Sequence, residues 1–174
     1  NQLLYEAFLA VGGPKFDAQD KALAAKFYRE LLPQLKATAE QEWKRRYGQT
    51  HSLHDAPLFE DINVYRTPET ILVDPGSTDV GDVQHIVPCA EVNTASWNCA
   101  APGHSWQVTS CAGSSIGMKG MLYGARALAL TAAKVAADPQ LVAAAKAEFL
   151  KATRGKPYRC PIPADVPVPM PVQK

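Results

Sequence analysis

Apolar positions at helical spacing predict most of the secondary structure in the first third of the chain. An amphipathic helix is expected over residues 3–11, where a Gly-Gly-Pro sequence stops it. Asp17 is a good N-cap for a second helix, which Pro33 bends or divides. A polar, solvated helix is expected to continue over 34–47.

The last third predicts two further helices and a tail. Ser114 or Ser115 can cap a long helix that runs to Ala137 and carries a broad apolar stripe, including Met121, Leu122, Ala125 and Leu128. Small residues would let this helix pack closely on a sheet. Asp138-Pro139 ends it and starts another helix with apolar positions such as Leu141 and Phe149. Six prolines after Gly155 predict an extended tail on a surface.

Between these helices the pattern favours strands. Residues 71–73 suit a buried strand that delivers the glycine-rich loop 76–88 at its carboxyl end. Period-two alternation over 90–97 and 104–111 predicts an antiparallel pair, and 62–65 is a further short strand. The expected fold class is α/β, with helices packed on a mixed sheet and a proline-rich carboxyl-terminal tail.

Composition narrows the class of protein. The 174 residues, 47% of them hydrophobic, are enough for one core, so residues 1–174 are expected to form a single unit. A net charge of +1 creates no field that attracts a polyanion, which argues against a nucleic-acid partner. The Ala-rich run near the end is broken by charges and a proline, so we expect no membrane span and a soluble protein.

The start of the chain and its cysteines bear on where the protein is located in the cell. The chain starts at Asn1 without a secretory signal, so a processed or excised fragment is considered. Cys89, Cys99, Cys111 and Cys160 are too sparse for a disulfide scaffold and are interpreted as reduced thiols in the cytoplasm. A Cys99 to Cys111 bridge is the main exception.

The loop 76–88 has the most concentrated candidate chemistry. It holds glycines, hydroxyls, acids and a histidine, which favour turns and are poor core formers. Its candidate binding residues are Ser77, Thr78, Asp79, Asp82 and His85. The acids are a possible carboxylate pair or ordinary turn and cap residues, and the histidine either lines a pocket or lies in the core.

His104 is the candidate metal ligand. It follows Pro102-Gly103, so a turn with backbone freedom presents its imidazole, a geometry that suits metal binding. His51 and His54 form only a lone H-x-x-H sequence and are interpreted as solvated loop residues.

Five motifs in order resemble a known family. They are Asn1, Tyr5 and Val11-Gly12-Gly13-Pro14-Lys15-Phe16; Gly76-Ser77-Thr78-Asp79-Val80-Gly81-Asp82-Val83 through Val87-Pro88; Pro102-Gly103-His104-Ser105-Trp106-Gln107; Lys119-Gly120-Met121; and Pro157-Tyr158-Arg159-Cys160-Pro161-Ile162-Pro163. Together they resemble the carboxyl-terminal portion of the aminobenzoyl-glutamate utilization protein B family. Its superfamily, the dinuclear metallopeptidases and amidohydrolases, also contains aminoacylases, auxin-conjugate hydrolases and carboxypeptidase G.

The resemblance implies a role as the last third of a catalytic α/β domain, without its lid domain. It implies metal-dependent hydrolysis of an N-acyl amino acid amide such as p-aminobenzoyl-glutamate, with two Mn²⁺ or Zn²⁺ ions. His104 would hold one ion, although relatives carry a histidine where this chain has Met118. Loop 76–82 would line the substrate pocket. The general base would come from the missing part, so this segment alone is expected to be inactive.

Two other classes of function remain open. The chain could be a non-enzymatic binding or assembly module that uses the polar helix 34–47 and the proline tail to contact the rest of the enzyme or a paired subunit. It could also be a small independent metalloprotein that uses His51, His54, His85 and His104. An excised piece should expose a large apolar patch, whereas an independent domain should not.

Overall fold

A computed structural model of the chain describes residues 1–47, 52–67, 78–167 and 170, and the regular structure in these residues is entirely helical. The helices are α1 Gln2–Val11, α2 Ala18–Arg29, α3 Pro33–Tyr47, α4 Val80–Gln84, α5 Trp106–Ala112, α6 Ser115–Ala137 and α7 Pro139–Thr153. The predicted α/β class, with helices packed on a mixed sheet, is therefore wrong for the described residues. The expected strand at 71–73 lies outside them.

The described residues fall into two compact units. The first contains those of 1–73 and 90–137, and the second those of 74–89 and 138–174. The expectation of a single unit, as the carboxyl-terminal segment of a catalytic domain, stays a prediction.

Local signals placed the long helices correctly. Asp17 caps α2 by accepting hydrogen bonds from the backbone N–H groups of Gln19 and Asp20, and the Asp20 carboxylate accepts from the N–H of Asp17 in return. Asp138 caps α7 by accepting from Gln140 N–H, with Pro139 in the first helical turn. These contacts are local in sequence, which explains why the chain alone predicts them.

The predicted antiparallel strand pair is wrong. Ser105 accepts a hydrogen bond from Val108 N–H at 3.3 Å and caps α5, so most of the second expected strand is a helix. Residues 90–97, the first expected strand, have no regular secondary structure, as is also the case for 62–65. Period-two alternation alone favours a strand, but the Ser105 side-chain cap is a local signal for a helix start, and it identifies α5.

The buried face of α6 is also different from the predicted one. Six residues of α6 are buried: Ile116, Gly117, Gly120, Tyr123, Gly124 and Ala127. The expected stripe points to solvent, since Met121, Leu122 and Leu128 are about half exposed. Three of the six buried residues are glycines, which let another backbone approach the helix closely.

Residues 94–96 lie directly on this glycine face. A methyl group added at Gly120 would overlap the backbone carbonyl of Ala95, and one added at Gly124 would lie 3.1 Å from the Thr94 side-chain methyl. On the same helix, Tyr123 and Ala127 pack with Leu4 and Phe8 of α1, and the Phe8 and Tyr123 rings meet edge to face with centroids 5.0 Å apart.

A buried carboxylate links α2 to α6. Asp20 is only 1% exposed and accepts hydrogen bonds from the Ser115 hydroxyl and the Lys119 ammonium. Lys119 also binds Asp17 Oδ2 at 2.7 Å. Burial opposes ionisation of Asp20, but the bonds from Lys119 and Ser115 outweigh it and lower its pKa. The bond from Lys119 lowers the pKa of Asp17 to about 2.

Asn98 fixes the chain that follows residues 94–96. Its fully buried side chain donates from Nδ2 to the Ala24 carbonyl at 2.7 Å and accepts from Ala100 N–H at 2.8 Å. A neighbouring core forms around Tyr28, Leu31, Trp43, Leu53 and Ala100. A buried amide thus joins α2 to a segment that has no helix or strand hydrogen bonds of its own.

Gly120→Ala is expected to destabilise the protein by about 1–3 kcal/mol, because the added methyl overlaps backbone that cannot move as a side chain can. The loss should exceed the helix-propensity gain of about 1 kcal/mol. Urea unfolding would measure it, with Gly124→Ala as the matched control that should lose less. A Gly120→Ala protein as stable as the parent would contradict the close approach.

The network of Lys119 with Asp17 and Asp20 predicts a dependence of stability on pH. Both carboxyl pKa values lie below the ordinary 3.8, so their contribution is complete above about pH 4 and is lost as pH falls toward about 2. The pKa of Lys119 is raised above 10.5, chiefly by its bond to Asp17, so its contribution is lost only above that pH.

Lys119→Met should lower stability at pH 7 by about 1–3 kcal/mol, the cost of leaving a buried polar group short of a partner. The loss of unfolding free energy between pH 4 and pH 2, measured by urea unfolding, should also become smaller. Lys134→Met, the same change on the same helix, should leave that loss as large as in the parent. Equal acid slopes for the parent and Lys119→Met would argue against the network.

Candidate functional site

The second unit contains an open cleft formed by α4 and the segment that follows α7. The cleft has two adjoining parts with volumes of about 300 Å³ and 590 Å³. Both parts are lined by His85, Thr153, Lys156, Pro157 and Tyr158. Phe149 and Leu150 of α7 line the smaller part. Both parts are largely open to solvent.

Helix α4 brings two predicted site residues into the cleft. Asp82 and His85 are three positions apart, so they share one side of this short helical segment. The helical segment begins with a backbone turn, in which Gly81 N–H donates to the Thr78 carbonyl at 3.2 Å. The predicted loop 76–88 therefore contains a helix that the sequence analysis missed.

Asp82 binds a tyrosine from the tail. The Tyr158 hydroxyl donates to Asp82 Oδ1 at 2.8 Å, which joins two segments 76 residues apart. This bond raises the pKa of the Tyr158 hydroxyl, with smaller effects from desolvation and Cys160. Tyr158 is therefore a neutral hydrogen-bonding group at neutral pH, and Asp82 has one carboxylate oxygen engaged.

His85 has a fixed orientation. Its Nδ1 lies 2.7 Å from the Gly81 carbonyl oxygen, which can only accept, so Nδ1 carries the hydrogen in this contact. The other ring nitrogen, Nε2, then holds a lone pair in the neutral imidazole. It can accept a hydrogen bond or a proton from a bound ligand.

Three cations from the end of α7 and the tail line the larger part of the cleft, namely Arg154, Lys156 and Arg159. Asp82 is the one acidic side chain among the described residues that line it. The helix ends with Arg154 and Gly155 both in the left-handed conformation, at φ 54° and 65°, and Gly155 N–H closes it onto the Leu150 carbonyl. The cleft therefore carries an excess of positive charge.

The remaining predicted loop residues lie outside the cleft lining. Thr78 Oγ1 accepts from Val80 N–H at 3.3 Å, and Asp79 precedes α4 without a side-chain capping bond. Ser77 lies outside the described residues. Sequence analysis missed Arg154, Lys156, Tyr158 and Arg159 as site residues. The sequence feature that could have identified them is the cluster of cations between the end of a helix and the following prolines.

His104 lies in the first unit, directly before α5. It is exposed, and its φ of 56° is left-handed, which is uncommon for a residue other than glycine. The predicted presentation of His104 on a turn is confirmed by this geometry, whereas its role as a metal ligand stays a prediction. The Ser105 cap holds the turn against α5.

No three His, Cys, Asp or Glu residues in the described part of the chain come together as a possible metal site. A metal ion needs about three or four protein ligands, so His104 can fill one position of a set whose other members these residues do not supply. The alternative of a small metalloprotein built on His54, His85 and His104 gains no support, and His51 lies outside the described residues.

Two other sequence predictions concern the cysteines and the membrane. All four cysteines are free thiols, so the considered bridge between Cys99 and Cys111 does not form. Burial raises the pKa of the Cys99 thiol to about 12, which keeps it protonated and unreactive. Among the described helices, none combines the length and apolar character that crossing a bilayer requires.

A comparison with known proteins identifies a relative of this chain. The chain is 29% identical over 171 residues to a subunit of p-aminobenzoyl-glutamate hydrolase from Escherichia coli (strain K12). The resemblance predicted from the sequence is confirmed. The match covers 94% of this chain and 34% of that relative, so the chain spans about a third of the relative's length. No family model and no solved structure matches the chain.

The bond between Tyr158 and Asp82 can be tested by titration. The hydroxyl of Tyr158 should ionise above the ordinary tyrosine pKa of 10.0, and Asp82→Asn should lower that pKa because a neutral amide no longer opposes the phenolate. The measurement is the absorbance at the phenolate band against pH, with Tyr158→Phe subtracted to isolate this residue. A Tyr158 pKa that Asp82→Asn leaves unchanged would show that the two side chains do not interact.

Proposed function

We propose that this chain is part of an amidohydrolase that cleaves the amide bond of an N-acyl amino acid such as p-aminobenzoyl-glutamate. The observation that carries the proposal is the 29% identity, over nearly the whole chain, to a protein named as a subunit of p-aminobenzoyl-glutamate hydrolase. The five motifs that suggested the resemblance are spread from α1 to the tail. The similarity therefore does not depend on one short segment.

The cleft of the second unit supplies groups suited to such a substrate. An N-acyl glutamate carries two carboxylates, and Arg154 or Arg159 can donate paired N–H groups to a carboxylate. The lone pair on His85 Nε2 can accept a hydrogen bond from the amide N–H. These residues can bind and orient the substrate. The general base is not assigned to any described residue.

His104 is proposed as one ligand of a divalent ion, Mn²⁺ or Zn²⁺, which would polarise a carbonyl and lower the pKa of a bound water in such enzymes. Exposure and the left-handed turn favour this role, since the imidazole is free of the packed core. Met118, the position where the resemblance implies a histidine in many relatives, lies in α6 and offers only a thioether, a poor ligand for these ions.

Helix α6 supports the proposed contact with another part of the enzyme or a paired subunit. Met118, Met121, Leu122 and Leu128 are each 48–58% exposed and recur at helical spacing, so they form one apolar stripe. A continuous apolar surface of this kind is typical of a protein interface. This stripe also favours the second candidate function, a binding or assembly module, which would contact a partner without hydrolysing the amide.

The proposal is tested with the product of the native gene. It should release p-aminobenzoate from p-aminobenzoyl-glutamate, and His104→Ala should lower the rate by roughly 10- to 100-fold and lower the metal content by the ion that His104 holds. His54→Ala is the matched control, because that exposed histidine contacts Asp55 rather than the proposed site. It should leave both quantities unchanged.

Two results would count against the proposal. Failure of the native product to cleave any N-acyl amino acid would favour an assembly module. Full activity and metal content in His104→Ala would remove His104 from the metal site. Residues 1–174 alone should be inactive, because the described residues lack a complete set of metal ligands.

A further inference from the structure

We propose that the exposed apolar stripe of α6 docks an acidic amphipathic helix, supplied by a segment of the same polypeptide outside residues 1–174. The proposal rests on the part of the proposed function that assigns the chain to a larger enzyme, and it specifies which kind of segment covers α6. It depends neither on hydrolysis nor on a metal ion.

The stripe follows a heptad pattern along most of α6. Its members recur at alternating intervals of three and four residues, and they are Met118, Met121, Ala125, Leu128, Ala132 and Val135. All of them are exposed except Val135, which is half-buried, and the exposed Leu122 and Ala129 widen the stripe. A repeat of about 3.5 residues keeps one face of a helix turned toward a partner helix over several turns. The pattern therefore predicts a second helix that lies along α6.

The sizes of the side chains also suit a helix. Ala125 and Ala132 alternate with the larger Met121, Leu128 and Val135, so the surface has hollows between projecting side chains. Such hollows accept side chains of a second helix, and small residues let the two helix axes approach to about 8 Å. The stripe is thus complementary in shape to another helix.

The charges of α6 indicate what kind of helix fits. Lys119, Arg126 and Lys134 are its charged residues, and the helix contains no aspartate or glutamate. Lys119 binds Asp17 and Asp20, whereas no acidic side chain among the described residues forms an ion pair with Arg126 or Lys134. A partner helix with acids beside its apolar residues would supply the opposite charge. A second copy of α6 would instead bring cations against cations.

The length of the relative indicates a source for such a helix. The match covers 94% of this chain but 34% of the relative, which leaves 66% of that protein without a counterpart here. A segment of the same polypeptide is held near the stripe at a high effective concentration, so its docking does not need a large contact area.

Helix propensity explains only part of the stripe. Alanine is the best helix former, so the exposed alanines of α6 need no partner. Met118, Met121, Leu122 and Leu128 are different, because each is 48–58% exposed and together they form a continuous apolar surface. The exposed positions of α3, a helix of the same unit, are mostly polar or charged. A face of α6 that contacted only solvent would be expected to resemble that of α3.

Photo-cross-linking in the product of the native gene tests the proposal. Leu128 is replaced by p-benzoylphenylalanine, the protein is irradiated, and the attached peptide is identified by mass spectrometry. The expected product is an intramolecular cross-link to a peptide outside residues 1–174 that has apolar residues at helical spacing and acids beside them. The same probe at Leu32, which is 63% exposed and lies outside α6, should not capture that peptide.

Arg126→Glu tests the charge of the partner. An acid on α6 would repel the acids of the docked helix, so the cross-link yield at residue 128 should fall by roughly threefold or more. Lys146→Glu, the same change of charge on α7, should leave the yield unchanged. Helix content measured by circular dichroism should be the same in both variants, which separates weaker docking from unfolding.

Several results would overturn the proposal. A cross-link to residues 1–174 of the same or a second copy, or to another protein, would reject the assigned segment. A captured peptide with the alternation of a strand, the same product from the Leu32 probe, or no cross-link at all would reject a docked helix. An unchanged yield in Arg126→Glu would reject an acidic partner.

The cross-link does not require hydrolysis, so the two proposals can fail separately. The expected cross-link in a protein that hydrolyses no N-acyl amino acid would retain the docking surface and reject the proposed function. Hydrolysis of p-aminobenzoyl-glutamate by a protein in which the probe at residue 128 captures nothing would retain the function and reject the docking surface.

Discussion

The buried carboxylate of Asp20 constrains the first unit more than any other group. An ionised carboxylate is costly to bury without partners, and here the partners are the Ser115 hydroxyl and the Lys119 ammonium of α6. Ser115 and Lys119 are one helical turn apart, so both bonds fix the rotation of α6 against α2. That rotation places Gly120 and Gly124 beneath residues 94–96 and leaves the larger apolar side chains of α6 exposed.

The candidate site residues of this chain lie mostly where helices begin or end. His104 lies shortly before α5, Asp82 lies on the short α4 and His85 directly follows it, and Arg154 ends α7. Backbone at such places is not committed to a full ladder of hydrogen bonds, so it can adopt left-handed conformations and present side chains to solvent. The helices fix where their ends lie, and the side chains at those ends can contact a ligand.

Part of the candidate site was predictable from the sequence. Asp82 and His85 stood out because acids and histidines in a glycine-rich loop are poor core formers, and both line the cleft. Arg154 and Arg159 did not stand out, because cations at a helix end and in a proline-rich tail are ordinary solvated residues in sequence terms. The bond that joins their segment to α4 links residues 76 positions apart, and no local pattern encodes it.

The sequence by itself determined the helices whose ends carry a capping residue. Asp17, Pro33 and Asp138 act on backbone groups within a few residues, and those interactions need no tertiary partner. Tertiary structure alone decided that 90–97 is not a strand and which face of α6 is buried, whereas the Ser105 cap that starts α5 within 104–111 is a local signal that the alternation had obscured. An isolated strand has no hydrogen-bond partner within its own sequence, so alternation predicts a strand only if another strand is available. No partner strand is available among the described residues, and residues 94–96 pack against the glycine face of α6 instead.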